Sequence, residues 1–274
     1  MKALVGTCLL LCTTIGTTTL SAQSDTARVG GFPYVAFGGR EEVASWLVRY
    51  DRCAWVTSDS LLAQATDAER RRLGAEWFCY EEDGQWNAIY GKYDPAADRM
   101  DVVAHYQESP GSGFTRTAAP PPARALRIAR ALFTARGRLP AAVRTSGARF
   151  NTFVRQRQEG PEIWMLPGWQ SNGVMVYGME LRYAFDSTGR TVRDSSVILA
   201  PLRATTPDTT RDLAIETDAD EIPTVGQIFF MLAYHRYFHA IRVYTRGFVT
   251  QLYDRNGDVF WLHAARPVAG DRRS

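Results

Sequence analysis

Along Val174–Phe185 the side chains alternate in character. Met175, Tyr177, Met179, Leu181, Tyr183 and Phe185 form an unbroken apolar set, while the residues between them turn polar at Glu180 and Arg182. Successive side chains of an extended chain point to opposite faces, so a period of two specifies a strand with one face against a core. Asp186-Ser187-Thr188-Gly189 follows as a turn, its glycine free to take positive φ. Thr191–Leu199 returns as the partner strand, and the whole of Val174–Leu199 is predicted to be one long hairpin. A lone hairpin is marginal in water, so the rest of the chain must cover its apolar face.

The N-terminus reads as an address. Met1-Lys2 precedes an apolar, threonine-rich run from Ala3 to Leu20, and Ser21-Ala22-Gln23-Ser24 supplies small residues for cleavage. One positive charge, a short apolar core and a small-residue end make the pattern of a secretory signal peptide. Residues 1–22 are therefore expected to direct export to the periplasm or the exterior and to be removed after Ala22. Leu11 is too large to precede a lipidated Cys12. Removal of the signal leaves Cys53 and Cys79, an even pair in an oxidising compartment, which predicts one disulfide. In the chain-entropy picture that bridge would be worth about 3 kcal/mol.

Charge excludes one class of partner. Lys+Arg 32 against Asp+Glu 29 gives a formal charge of +3, without the strong basic excess of a nucleic-acid binder. No apolar run after the signal is long enough to span a bilayer as a helix. The sequence names no other partner.

In chain order, Val43, Trp46, Leu47, Tyr50 and Ala54 follow helical spacing, predicting an amphipathic helix from Arg40 to about Trp55 behind a glycine-rich lead-in, Gly30–Gly39. Ser58 and Asp67 read as N-caps, and Thr66-Asp67-Ala68-Glu69 has capping-box spacing. Three strands of an aromatic meander follow, at about Glu76–Tyr80, Gln85–Tyr93 and Arg99–Tyr106, the first pair turning at Glu82-Asp83-Gly84. Glu108–Pro122, rich in Ser, Gly, Ala and Pro, is predicted to link an N-terminal part (23–119) to a C-terminal part (120–266). Beyond it come a helix over Ala123–Ala135 stopped at Gly137, strands at Phe150–Val154 and Glu162–Leu166, and the hairpin. Ala200–Glu221 reads as polar and irregular, Ile228–Ala233 as a buried helix, and Ile241–Ala264 as a second hairpin about Asn256-Gly257. Residues 267–274 are expected to be a loose tail. The fold class is α+β: N-terminal helices with a three-stranded antiparallel meander, then antiparallel hairpins with one or two helices.

Chemistry is sparse. His235 and His239 have HxxxH spacing, but Arg236 stands where a zincin needs its glutamate. No GxSxG nucleophile elbow occurs. Asp208, Asp212, Glu216, Asp218, Asp220 and Glu221 crowd one segment, and clustered carboxylates suit a hard cation such as calcium, weakly held; no other cofactor is indicated. Gln170-x-x-Gly173, Gly178, Glu216-x-Asp218 and Pro223-Thr224-x-x-Gln227 together resemble a worn JAMM metallopeptidase pattern over roughly residues 122–264. The resemblance implies that fold with its catalyst lost. Gln170 stands for the catalytic glutamate, Glu216 and Asp218 for the two zinc histidines, Thr224 for the serine and Gln227 for the aspartate ligand. An amide cannot take a proton from bound water. The expected role is non-catalytic, binding or structural; the alternative is a metal-dependent hydrolase related to the JAMM fold, degenerate at its site.

Overall fold

The computed structural model describes residues 28–29, 31–111, 113–118, 123–217, 220–255 and 258–266. The signal-like residues 1–22, the Asn256-Gly257 turn and the 267–274 tail lie outside them. A short ladder, β1 (Arg28–Val29) with β2 (Phe32–Pro33), leads into α1 (Tyr34–Gln64) and α2 (Asp67–Arg72). The first large sheet follows: β3 (Glu76–Glu82), β4 (Gln85–Asp94), β5 (Arg99–Ser109) and β6 (Gly113–Thr117), in that order. Next come α3 (Arg124–Gly137), α4 (Ala141–Thr145), β7 (Phe150–Arg157), β8 (Gly160–Pro167), β9 (Met175–Tyr177), β10 (Glu180–Phe185) and β11 (Val192–Ile198). The chain closes with β12 (Arg203–Thr205), β13 (Asp208–Glu216), α5 (Val225–Tyr234), a 3-10 turn at His235–Tyr237, β14 (Phe238–Tyr244), β15 (Phe248–Arg255) and β16 (Asp258–Ala265). This is an α+β fold, mostly β.

Helix α1 is longer than predicted, at 31 residues, and takes in Gly38 and Gly39. Ser58, expected to be an N-cap, donates instead to the Trp55 carbonyl one turn back at 3.0 Å, as Thr57 does to Cys53 at 2.7 Å and Ser60 to Val56 at 2.8 Å. Such back-bonding lets Ser and Thr sit inside a helix. Its buried stripe, Leu47, Tyr50, Ala54 and Leu61 among others, keeps helical spacing against the core. The capping box forms as expected: Thr66 accepts from the Glu69 N–H, and Glu69 accepts from the Thr66 N–H at 2.9 Å.

The meander is present and gains a fourth strand, because Gly113–Thr117 pairs back on β5 instead of serving as linker. Asp83 and Gly84 both hold positive φ between β3 and β4, as a two-residue primed turn requires. The second sheet has the order β11-β10-β8-β7. The predicted hairpin survives in it from Glu180 to Ile198, but not from Val174. Gly178 breaks the strand: its φ is 133°, and a Cβ there would run into the Pro201 carbonyl oxygen. β9 therefore leaves the sheet and pairs with β12, Met175 opposite Thr205.

The third sheet has the order β13-β14-β15-β16. Segment 200–221, expected to be irregular, supplies β12 and β13, and β13 runs parallel to β14 with α5 in the crossover. Only Leu213 and Ile215 of β13 are buried, so its residues read as polar.

One hydrophobic cluster joins Leu47 and Tyr50 of α1, Phe78 and Ile89 of the meander, Ile128 and Leu132 of α3, Phe153 and Ile163 of the second sheet, and Ile228 and Phe229 of α5. It lies on both sides of segment 108–122. A second cluster, with Leu213, Ile215, Ile241 and Val243, takes Phe230 and Met231 from the other side of α5.

The expected Cys53–Cys79 bridge is not formed. Both are buried free thiols. Burial, with Cys53 alongside, raises the Cys79 pKa well above the usual thiol value.

Candidate functional site

An open cleft of about 990 Å³ lies between α1, the start of β7, the 168–173 loop and the 3-10 turn after α5. That is the size of a pocket for a drug-sized molecule. Helix α1 presents Asp51, Arg52 and Trp55, while the facing loop and turn present Trp169, Arg236 and Tyr237, with Tyr50, Phe153 and Tyr234 deeper in. Trp55 is 57 % exposed.

Each wall is held by its own local structure. In the 168–173 loop the Gln170 N–H donates to Val174 O at 2.8 Å and the Gly173 N–H to Gln170 O at 3.0 Å, while Trp169 bridges to Met175. Trp169 thereby stands edge-on to Tyr234, at 5.7 Å between centroids, and to Tyr237, at 5.0 Å. Such T-shaped pairs are the favoured aromatic geometry. The Arg236 guanidinium lies 5.0 Å from the Tyr237 ring centroid and donates to its hydroxyl at 3.1 Å.

Asp51 is the one carboxyl among the cleft-lining residues. Burial pushes its pKa up to about 6, against the opposing hydrogen bond from the Trp55 indole. Burial also raises the Tyr234 hydroxyl, with the Asp51 charge adding to the effect. His235 has a partner at each ring nitrogen: Leu232 O at 3.0 Å from Nδ1 and Asp254 Oδ2 at 3.3 Å from Nε2.

Of the residues singled out from sequence, Gly173 and His235 line this cleft, as does Gln170. Its amide acts on the backbone, accepting from the Arg149 N–H at 2.9 Å and donating to Gly168 O at 2.6 Å and Arg149 O at 3.3 Å. Thr224 and Gln227 form a capping box that starts α5, beside the buried Glu180, which accepts the Gly226 N–H at 2.6 Å. Glu216 ends β13 with Arg266 at 3.9 Å. Asp218 lies outside the described residues. The two histidines do not share a helix face, because α5 ends at Tyr234; His239 instead pairs with Asp212 at 2.7 Å. Among the described residues no group of three or more His, Cys, Asp or Glu is placed to hold a metal ion.

Sequence reading passed over Asp51, Arg52, Trp55, Trp169 and Tyr237. A signal for Asp51 was present: it lies four residues after Leu47 and one after Tyr50, an acid at the edge of an apolar stripe. Comparison of the chain with family models, curated proteins and solved structures finds no match to any of them.

Proposed function

We propose that this chain is a non-catalytic binding protein, exported from the cell that makes it, and that its ligand occupies the aromatic cleft. The observation that carries the reading is Trp55, more than half exposed on a wall of the cleft that also holds Trp169 and Tyr237. Leaving an indole in water forgoes about 25 cal/mol per Å² of apolar surface, which a stacked planar molecule would recover. Binding is favoured over turnover because the cleft offers a single carboxyl, while His235 has both ring nitrogens engaged. The JAMM-like reading draws less support: Gln227 is committed to a helix cap, and Glu216 faces Arg266.

The test is a tryptophan-fluorescence titration of the purified chain against a library of small aromatic compounds. Saturable quenching is expected, lost in Trp55→Ala and Trp169→Ala while the far-UV spectrum stays native. A library without a single saturable ligand would refute the reading. Export rests on residues 1–22, and N-terminal sequencing that finds Met1 retained on a cytosolic protein argues against it.

A further inference from the structure

The charges around the cleft say more about what enters it. Arg52, Arg149 and Arg236 line it, from α1, from the residue preceding β7 and from the 3-10 turn. Elsewhere in the molecule many arginines are paired: Arg72 with Asp101, Arg130 with Asp98, Arg155 with Glu42 and Arg182 with Glu162. None of the cleft arginines has a carboxylate partner among the described residues. Asp51 does not neutralise them. Its pKa is raised by burial against the opposing hydrogen bond from the Trp55 indole, and no guanidinium acts on it.

Two of these arginines are also held in place at the cleft. The Gln170 amide grips the Arg149 backbone from both its N–H and its carbonyl. Arg236 is stacked on, and bonded to, Tyr237. The Arg236 guanidinium, fixed by Tyr237 and without a carboxylate partner among the described residues, is suited to receiving an anion, because less conformational freedom is lost when the bond forms.

Resting on the cleft as the binding site, we infer that its ligand is a planar organic anion: an aromatic body between Trp55 on one wall and Trp169 and Tyr237 on the other, with a carboxylate, sulfonate or phosphate group among Arg52, Arg149 and Arg236. A cation of the same shape would meet like charge, and a neutral analogue would forgo the charge-assisted hydrogen bonds.

The experiment compares three probes with one body: naphthalenesulfonate, naphthol and naphthylmethylammonium. Each is titrated into the full chain by calorimetry and by tryptophan fluorescence. The sulfonate is expected to bind at least tenfold tighter than naphthol, with the ammonium weakest. That margin should shrink several-fold in Arg149→Gln and Arg236→Gln and persist in Arg71→Gln, a change on α2 away from the cleft. Equal affinity for sulfonate and naphthol, both weakened by Trp55→Ala, would overturn the anion preference and leave the cleft as the site. Tightest binding of the ammonium would overturn it as well. Binding of none of the three would remove both the cleft reading and this one.

Discussion

Asp51 shows how one side chain can work against its own fold. Its folded pKa, about 6, lies above the unfolded value near 3.8, so the native state binds the proton more tightly. Stability therefore falls as pH rises from about 4 to 6, and the cost is fully present above that window. Asp51→Asn is expected to stabilise the protein by about 1–2 kcal/mol at pH 8, a figure set below the full shift because the residue is only partly buried, and to change nothing at pH 4. Urea denaturation at the two pH values checks this; equal effects at both would remove the titration argument. Gly178 makes the opposite case, a residue whose absent side chain the fold needs. Gly178→Ala should cost roughly 2–3 kcal/mol, read as a lower urea midpoint, because the new Cβ meets the Pro201 carbonyl at a φ that L residues avoid. Neither role was read from the sequence. An acid one step from an apolar stripe looks solvated, and a glycine inside an alternating run looks like part of the strand.

Elements whose signal is local were legible in advance. The Thr66–Glu69 box, the primed turn at Asp83-Gly84, the meander strands and the helix ending at Gly137 each draw on a few neighbouring residues. Elements defined by a distant partner were not. β6 looked like linker because its glycine and threonines have little to bury, yet β5 supplies its hydrogen bonds. α1 looked interrupted because Ser58 is a good cap as well as a tolerable helix-interior residue. Thr224 and Gln227, singled out by the JAMM-like resemblance, form the capping box that starts α5. Thr224→Ala should accordingly destabilise the protein by about 1 kcal/mol, as loss of a cap does, without changing the metal content of the purified protein. Zinc present in the wild type and lost in the variant would reverse that assignment.

Across the whole molecule, the two parts expected from the 108–122 segment share one core. Phe153 packs on Tyr50 at 5.3 Å and on Phe229 at 5.3 Å, tying α1 to the second sheet and to α5. Polar contacts cross the same divide. Asp98, at the β4–β5 turn, receives Arg130 from α3, Arg190 from the β10–β11 turn, and the Tyr93 hydroxyl at 2.8 Å. These donors, Arg130 foremost, hold the Asp98 carboxyl well below its usual range. Its contribution is therefore complete above about pH 4 and is lost only as pH falls through the depressed folded value. We expect a single unfolding transition, coincident by near- and far-UV dichroism, and a lower midpoint for Asp98→Asn at pH 7 whose difference from wild type narrows towards pH 2. Two separated transitions would show that the parts unfold independently.

The parallel pairing of β13 with β14 carries a consequence in time. A hairpin can zip from its turn as soon as both arms exist, but β13 has no neighbour of that kind. Its partner begins at Phe238, beyond α5 and the 3-10 turn, so a long loop must be closed before the first inter-strand bond forms. A chain that emerges N-terminus first therefore carries β13 as a bare edge until α5, the 3-10 turn and β14 have followed. Once β14 arrives, the same event seats Phe230 and Met231 in the second cluster and sets the 3-10 turn that carries Arg236 and Tyr237. The wall of the cleft is thus finished among the last parts of the molecule, and a chain stalled or truncated before β14 would hold a meander and a long helix but nowhere for a ligand to sit.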